Sequence, residues 1–360
     1  MAIITGFTSS NSLLQGTADA DEIYGNRFGN IGFVAGNDRI FGLAGDDLIS
    51  GDGIDILAAG RGGNDLVRGG DGTDRLYGDA SGTLYGVGGD DVIYQDSLDG
   101  SGAEMRGDAE TMATGSRGGN DKLYGGGELV GDAYDDMTDV ICGHDLLSAR
   151  SSSVGSDLTG DSWNYLYGST VGGNDRLDGS SFDDGLAGES FHDLADVSRG
   201  GNDKLWGHGG DDRLYGDASG LDDASVGGND VLRGGAGNDT LYGDAQDLYL
   251  FSTGGDDRLH GDAGDDELWG DGLLDGPDAT GGKDKFFFSG DFGDDTIFDF
   301  RPEDGDQIVL QGLTQLDVQL SIISLTDPND STLITTLGDD SITLVGFTGS
   351  LTPGVDIIFA

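Results

Sequence analysis

The sequence predicts an all-β solenoid in which short strands and glycine-rich turns alternate along the chain. A nine-residue pattern recurs, G-G-x-G-x-D-x-U-x with U a large apolar residue, as in residues 207–215 (GHGGDDRLY) and 234–242 (GGAGNDTLY). Glycine supplies 70 of the 360 residues, well above the ~7% of average proteins. Hydrophobic residues make up 35% of the chain and recur at regular intervals, which argues against a disordered polyanion.

Each half of the pattern has a physical meaning. The glycines of the first six positions permit a tight turn, because glycine reaches positive φ without a Cβ penalty. The last three positions make a short strand whose middle residue points inward, such as Leu214 or Leu241, and whose last residue, often aromatic, should face outward. The aspartate at position six directs a carboxylate toward the turn. Stacked turns then gather carboxylate and carbonyl oxygens, the ligands that Ca²⁺ prefers.

This register of repeats resembles the repeats-in-toxin (RTX) family of secreted calcium-binding proteins, over residues 16–298. The resemblance implies a parallel β-roll whose strands alternate between two sheets, with a row of calcium ions along each line of turns. With two nonapeptides per coil, the region would form about 16 coils, roughly 75 Å long at ~4.8 Å per coil.

The position-six aspartates are the predicted calcium ligands. In a two-sheet roll, turns on the same side lie two nonapeptides apart, which predicts the pairs 47/65, 212/230, 239/257, 257/275 and 266/284. The alternative is that these side chains only cap turns. The full predicted metal-binding set is Asp21, Asp38, Asp47, Asp55, Asp65, Asp74, Asp91, Asp121, Asp145, Asp175, Asp203, Asp212, Asp230, Asp239, Asp257, Asp266, Asp275, Asp284 and Asp295.

A longer period overlies the nonapeptide. A G-D step, or a variant of it, recurs ten times between Gly25 and Gly270, with a spacing close to three nonapeptides. The third nonapeptide is degenerate, since Leu221 and Leu248 stand where the aspartate is expected. We expect it to continue the roll; the alternative is that it loops out. Between residues 95 and 198 the register is looser, and bulges or excursions are expected there.

The G-D steps carry a second set of carboxylates. Two interpretations stay open for them: additional metal ligands, or solvent-exposed turn residues in the left-handed conformation that aspartate tolerates. The residues concerned are Asp79, Asp108, Asp132, Asp161, Asp217, Asp244, Asp262 and Asp271.

Composition limits the partners. With 68 acidic and 18 basic residues, the net charge is −50, which excludes nucleic acid as a partner and indicates a missing counter-cation. The single cysteine, Cys142, permits no intramolecular disulfide. The first residues lack the basic region of a secretory signal, and no apolar run approaches the ~20 residues of a transmembrane helix.

Both ends differ from the repeats. Residues 1–15 are expected to form an N-terminal cap. Residues 299–360 contain new strand-like segments, and this tail resembles the C-terminal capping and type I secretion region of the same family, with Asp356 before Ile357, Ile358 and Phe359. The alternative is a cap that only covers the sheet edges.

These observations predict a secreted, extracellular, non-enzymatic calcium-binding protein. It should stay unfolded in a low-calcium cytosol, leave the cell through type I secretion machinery, and fold when it binds Ca²⁺ outside. A structural, matrix or surface-associated role follows, with self-association or contact with a cell surface or polysaccharide as expected partners. The alternative is an enzyme acting on an extracellular polysaccharide, with a site in residues 95–198.

Overall fold

The chain forms a parallel β-solenoid with three faces, which we describe from a computed structural model. The structure describes residues 1–6, 10–26, 33–97, 102–275, 278–322, 332–336, 340–347 and 349–360. Each coil passes in turn through face 1, face 2 and face 3 before it returns to face 1 one level higher. Since the strands of each face pair in parallel, equivalent residues of successive coils stack along the axis.

Face 1 is a 13-stranded parallel sheet. In neighbouring strands of this sheet, equivalent apolar residues lie side by side, for example Leu205 beside Leu232 and Leu232 beside Leu259. Its strands are β2 (Leu13–Gln15), β4 (Arg39–Ala44), β6 (Leu66–Asp71), β9 (Val92–Tyr94), β12 (Lys122–Tyr124), β15 (Leu146–Ser148), β18 (Arg176–Asp178), β21 (Lys204–Gly209), β24 (Val231–Ala236), β27 (Arg258–Ala263), β30 (Lys285–Ser289), β32 (Gln307–Gln311) and β36 (Ile357–Phe359).

Face 2 is a 15-stranded sheet, parallel except at its C-terminal end. Its parallel strands are β1 (Ile3–Thr5), β3 (Glu22–Tyr24), β5 (Leu48–Ser50), β7 (Arg75–Tyr77), β10 (Glu104–Arg106), β13 (Glu128–Val130), β16 (Asp157–Thr159), β19 (Gly185–Ala187), β22 (Arg213–Tyr215), β25 (Thr240–Tyr242), β28 (Glu267–Trp269), β31 (Asp294–Ile297) and β35 (Ser341–Leu344).

Face 3 is made by the third nonapeptides and is less regular. It contains a two-stranded sheet and a six-stranded sheet, linked by isolated bridges such as Ala109 to Ala133. Its strands are β8 (Ala80–Leu84), β11 (Ala109–Met112), β14 (Met137–Thr138), β17 (Leu166–Tyr167), β20 (Ser190–Leu194), β23 (Ala218–Leu221), β26 (Ala245–Leu248) and β29 (Leu273–Leu274).

The all-β parallel solenoid is therefore confirmed, whereas the predicted coil is wrong. Strands do not alternate between two sheets with two nonapeptides per coil. Equivalent strands recur about every three nonapeptides, which gives about ten coils. The physical reason lies in the third nonapeptide. Leu221 and Leu248 are fully buried in an apolar cluster behind face 3, so this segment is a third wall and does not loop out.

The core consists of the inward residues of the three faces. The apolar residues of faces 1 and 2 form one continuous cluster, as with Leu205, Leu214 and Leu232, which have no solvent exposure. Face 3 adds two smaller clusters. The prediction that the aromatic residues at the strand ends face outward is wrong for face 2. Tyr215 and Tyr242 are only 6% and 8% exposed. Their rings stack with centroids 5.3 Å apart and are covered where the chain turns into face 3.

The solenoid continues through residues 102–198, where looser register was expected. Strands β10 to β20 keep their places in the three faces. The expected irregularities are register shifts on face 3, between Ala109 and Thr111 and between Ser190 and Asp193. This region is thus part of the same scaffold as the regular coils.

The two ends extend the same sheets. Strands β1 and β2 begin faces 2 and 1. At the C-terminal end, the antiparallel strands β33 (Val318–Ile322) and β34 (Thr332–Thr336) add to β35, after a short 3-10 helix, Gln315–Asp317. Within the described residues, none of the helical structure is long or apolar enough to span a membrane.

Candidate calcium sites

One column of aspartates stands at the corner where each coil enters face 1. In each after the first, Oδ1 accepts a hydrogen bond from the backbone N–H of the equivalent aspartate in the preceding coil, as from Asp203 to Asp230 (2.7 Å) and from Asp257 to Asp284 (2.9 Å). All are at most 4% exposed. Column 1 comprises Asp38, Asp65, Asp91, Asp121, Asp145, Asp175, Asp203, Asp230, Asp257, Asp284 and Asp306.

A second column stands where each coil enters face 2 and has the same bonding. The N–H of Asp212 donates to Oδ1 of Asp239 at 2.8 Å. This column is interrupted in three coils, in which Ala103, Gly127 and Ser156 take the place immediately before the strand. Column 2 comprises Asp21, Asp47, Asp74, Asp184, Asp212, Asp239, Asp266 and Asp295.

The second carboxylate oxygen distinguishes these columns from ordinary turn caps. Among the described residues, Oδ2 of most column members is buried without a hydrogen-bond partner. A buried anionic oxygen without a partner is costly, and it is stabilised by a proton or a cation. The oxygens concerned belong to Asp65, Asp91, Asp121, Asp145, Asp175, Asp203, Asp230, Asp257 and Asp284 in column 1, and to Asp47, Asp74, Asp212, Asp239, Asp266 and Asp295 in column 2.

Glycine keeps the space around these oxygens open. A side chain on Gly216 would collide with the carbonyl of Gly243 in the next coil and with Oδ2 of Asp230. The same arrangement recurs at Gly243, which faces Gly270 and Asp257. Backbone carbonyl and carboxylate oxygens therefore meet at these levels of column 1, as Ca²⁺ coordination requires.

The electrostatics of the columns favour cation binding. Burial raises the pKa of Asp212 to about 8 and that of Asp266 to about 7, and the neighbouring column-2 carboxylates add to both shifts. In column 1, burial and then the charge of Asp52 raise the pKa of Asp65 well above its usual range. These carboxylates resist ionisation in the metal-free fold, and a divalent ion between them would remove that resistance.

The G-D carboxylates form a third column, where each coil enters face 3. Each accepts a hydrogen bond from the N–H of a glycine in the turn that leads back to face 1, as Asp79 does from Gly89 at 2.8 Å and Asp217 from Gly228 at 2.9 Å. Column 3 comprises Asp52, Asp79, Asp108, Asp132, Asp161, Glu189, Asp217, Asp244 and Asp271, all at most 2% exposed.

The exposed left-handed interpretation of the G-D residues is thus wrong for every predicted member except Asp262. Asp262 has a φ of 72° and lies partly exposed on face 1. Columns 1 and 3 approach each other inside the solenoid. Ligand atoms of Asp38, Asp52 and Asp65 lie within 4.8 Å of one another, as do those of Glu189, Asp203 and Asp217.

The structure places seventeen of the nineteen predicted metal residues in columns 1 and 2. The other two, Asp55 and Asp275, are exposed on face 3, outside the columns. The predicted pairs are wrong, because aspartates two nonapeptides apart belong to different corners: Asp47 lies in column 2 and Asp65 in column 1. Stacked neighbours are instead about one coil apart, such as Asp38 and Asp65.

Four column members belong neither to the predicted ligands nor to the G-D carboxylates whose role the sequence left open: Asp52, Asp184, Glu189 and Asp306. Asp52 and Glu189 are the acidic residues of a G-D and a G-E step, so the longer period of the sequence could have identified them. Asp184 lies one coil before Asp212, to which its N–H donates. Asp306 lies 22 residues after Asp284, whose N–H donates to it. This spacing is shorter than the repeat, so only the fold identifies Asp306 as a column member.

The chain was compared with protein-family models, curated proteins and solved structures, and the family model agrees with the repeats described above. A family model described as the RTX calcium-binding nonapeptide repeat matches residues 34–53, 51–82, 198–219, 226–247 and 249–272. No curated protein matches. Among solved structures, the chain is similar to the extracellular lipase LipA from Serratia marcescens, with 15% identity, a TM-score of 0.20, and coverage of 98% of this chain and 40% of the lipase.

Proposed function

We propose that this chain, which carries RTX calcium-binding nonapeptide repeats, is a secreted protein that folds into its solenoid when Ca²⁺ binds outside the cell. The observation that carries the proposal is the set of buried Oδ2 atoms in columns 1 and 2 that have no hydrogen-bond partner in the described part of the chain. Each would bind Ca²⁺ together with the carbonyl oxygens of the adjoining turns. Because the sites are assembled from different coils, they exist only in the folded chain, and binding energy becomes folding energy.

The charge of the chain supports the same coupling. A net charge of −50 opposes compaction in the absence of cations. Extracellular calcium-binding modules work at roughly 10⁻⁴–10⁻³ M, so the chain would stay open in a low-calcium cytosol and fold after export. Type I secretion machinery is the proposed exporter, with residues 299–360 as the segment that it recognises.

The proposed role after export is structural and non-enzymatic, in a matrix or at a cell surface. The repeat supports this, because the described part of residues 95–198 forms the same three faces as the regular coils. Self-association or contact with a polysaccharide would use the outer faces. Light scattering with and without Ca²⁺ tests the self-association.

The central experiment is a calcium titration of the metal-free full chain, followed by circular dichroism and calorimetry. We expect β-structure to appear cooperatively with Ca²⁺, several ions to bind per chain, and a chelator to reverse both. Magnesium is the matched control, since its small octahedral shell suits these carbonyl-rich corners poorly. A β-rich metal-free spectrum at neutral pH that Ca²⁺ leaves unchanged would refute the coupling.

A further inference from the structure

The only cysteine of the chain lies inside the carboxylate interior. Cys142 occupies the place before a recurring glycine, in ICGHD, where the adjoining coils have Gly118 and Gly172. Its backbone lies in the same bridge line between the coils. The side chain is 7% exposed and is a free thiol.

At this place any side chain is directed at column 3. A side chain on Gly118 would collide with Asp132, and one on Gly172 would collide with Glu189 and approach Asp161. The thiol of Cys142 accordingly lies between two successive members of column 3, Asp132 and Asp161. The ligand atoms of these three residues lie within 4.8 Å of one another.

Column 1 supplies a second, independent indication of a ligand at this level. Asp145 and Asp175 are 4% and 2% exposed, and Oδ2 of each has no hydrogen-bond partner among the described residues. These oxygens lie against Gly131 and Gly160, the residues that precede Asp132 and Asp161. At this level of the interior, buried acceptor oxygens without a hydrogen-bond partner among the described residues thus lie beside the glycines that lead into Asp132 and Asp161.

We propose that Asp132, Cys142 and Asp161 form a mixed sulfur–oxygen site for a thiophilic divalent cation such as Zn²⁺ or Cd²⁺. Thiolate ligands favour softer metals than all-oxygen sites do, and Zn²⁺ accepts cysteine and carboxylate ligands together. The two other groups of this kind among the described residues, Asp38–Asp52–Asp65 and Glu189–Asp203–Asp217, offer only oxygen ligands. When the metal binds, a metal–sulfur bond replaces the S–H bond, and the proton passes to the buffer.

The inference deepens the proposed function, since it adds a metal of another class to the same interior, and the test separates the two. The full chain, folded in excess Ca²⁺, is titrated with Cd²⁺, and the ultraviolet charge-transfer absorption of a Cd–thiolate bond is recorded. We expect the band to saturate at one Cd²⁺ per chain and Zn²⁺ to compete for the site.

Two variants control the experiment. C142G restores the glycine of the neighbouring coils, so it should fold with Ca²⁺ as the parent does and show no band. C142S keeps a small polar side chain, and its Cd²⁺ affinity at this level should fall at least about tenfold, the lower end of what loss of an outer-shell partner alone costs. The proposal is overturned if the folded parent shows no band, or if C142G shows the same band as the parent. If the parent chain shows the Cd–thiolate band but its folding does not depend on Ca²⁺, the result counts against the proposed function alone.

Discussion

A position-six aspartate in this solenoid is only half satisfied by the protein. In Asp230, Oδ1 accepts a hydrogen bond from the N–H of Asp203 at 2.7 Å, while Oδ2 is buried and has no hydrogen-bond partner among the residues that the structure describes. A structural cap alone would need only the first oxygen. The second oxygen therefore separates a binding residue from a turn residue at the scale of single atoms.

Replacing Asp230 by asparagine tests this division. Asp230→Asn retains an acceptor for Asp203 but removes the charge, so we expect about tenfold weaker calcium binding at its level, which is about 1.4 kcal/mol. The metal-free fold should become more stable, because a buried charge is lost. Calorimetry measures the calcium affinity, and circular dichroism in chelator at pH 5.5, where the metal-free chain is expected to be more folded, measures the second effect.

The matched control is Asp211→Asn. Asp211 is exposed and also accepts a backbone N–H, from Asn238 at 2.8 Å, so the change in charge is identical while burial differs. Calcium affinity should stay within a factor of about two. Equal losses in both variants would mean that net charge, and not the column, sets the affinity.

Glycine at the G-D step is required by space. At Gly216 a Cβ would collide with the carbonyl of Gly243, which the solenoid cannot move without breaking its stacking. We expect Gly216→Ala to destabilise the calcium-loaded fold by at least about 2 kcal/mol. Gly209→Ala is the control, because a Cβ at this position would lie 3.5 Å from its nearest neighbour, the carbonyl oxygen of Ala236. Its loss of folding free energy should stay below ~1 kcal/mol. Chemical denaturation in saturating Ca²⁺ decides between them.

At the scale of elements, face 3 determines the shape of the coil. The third nonapeptide has leucine in place of aspartate at Leu221 and Leu248, and both pack in the interior. The segment therefore lacks the position-six ligand and buries a leucine side chain in its place. A carboxylate column also stands where the coil enters face 3, but within the third nonapeptide leucine packing replaces the position-six aspartate.

This exchange predicts a large cost for truncating face 3. Leu221→Ala should destabilise the folded chain by about 2–5 kcal/mol, the range for buried leucines. Leu250→Ala, at a position 43% exposed on the turn that follows face 3, should cost less than ~0.5 kcal/mol. Thermal or urea unfolding in Ca²⁺ measures both. A negligible effect of Leu221→Ala would show that face 3 is dispensable for the fold.

At the scale of the whole molecule, the carboxylate columns set the pH dependence. Burial raises the pKa of Asp47 to about 6, of Asp266 to about 7 and of Asp212 to about 8, from a reference near 3.8. The metal-free folded state therefore binds more protons than the unfolded chain between about pH 4 and 8. Its stability is fully present below about pH 4 and is lost as the pH rises through these values.

We accordingly expect the chain in chelator to be more folded at pH 5.5 than at pH 8, as judged by circular dichroism. The lower limit keeps the chain away from its isoelectric point of about 4.1. The calcium-dependent gain in stability should run the opposite way, because protons compete with Ca²⁺ for the same oxygens. Metal-free stability that increases between pH 5.5 and 8 contradicts the column electrostatics.

The sequence alone determined the parallel β class, the inward apolar residues and most of the candidate ligands. It could do so because glycine, aspartate and leucine at fixed places in a nonapeptide each have a local reason: a tight turn, an oxygen ligand and a buried strand residue. Asp230, Gly216 and Leu232 need only their own repeat to be interpreted.

Only the tertiary structure decided how many nonapeptides complete one coil, and hence which aspartates are neighbours. The pairing of Asp38 with Asp65 instead of Asp47 with Asp65 depends on the third wall behind Leu221 and Leu248, a packing outcome that no single repeat encodes. The approach of Cys142 to Asp132 and Asp161 has the same origin, since residues of different coils meet only after the coil length is fixed.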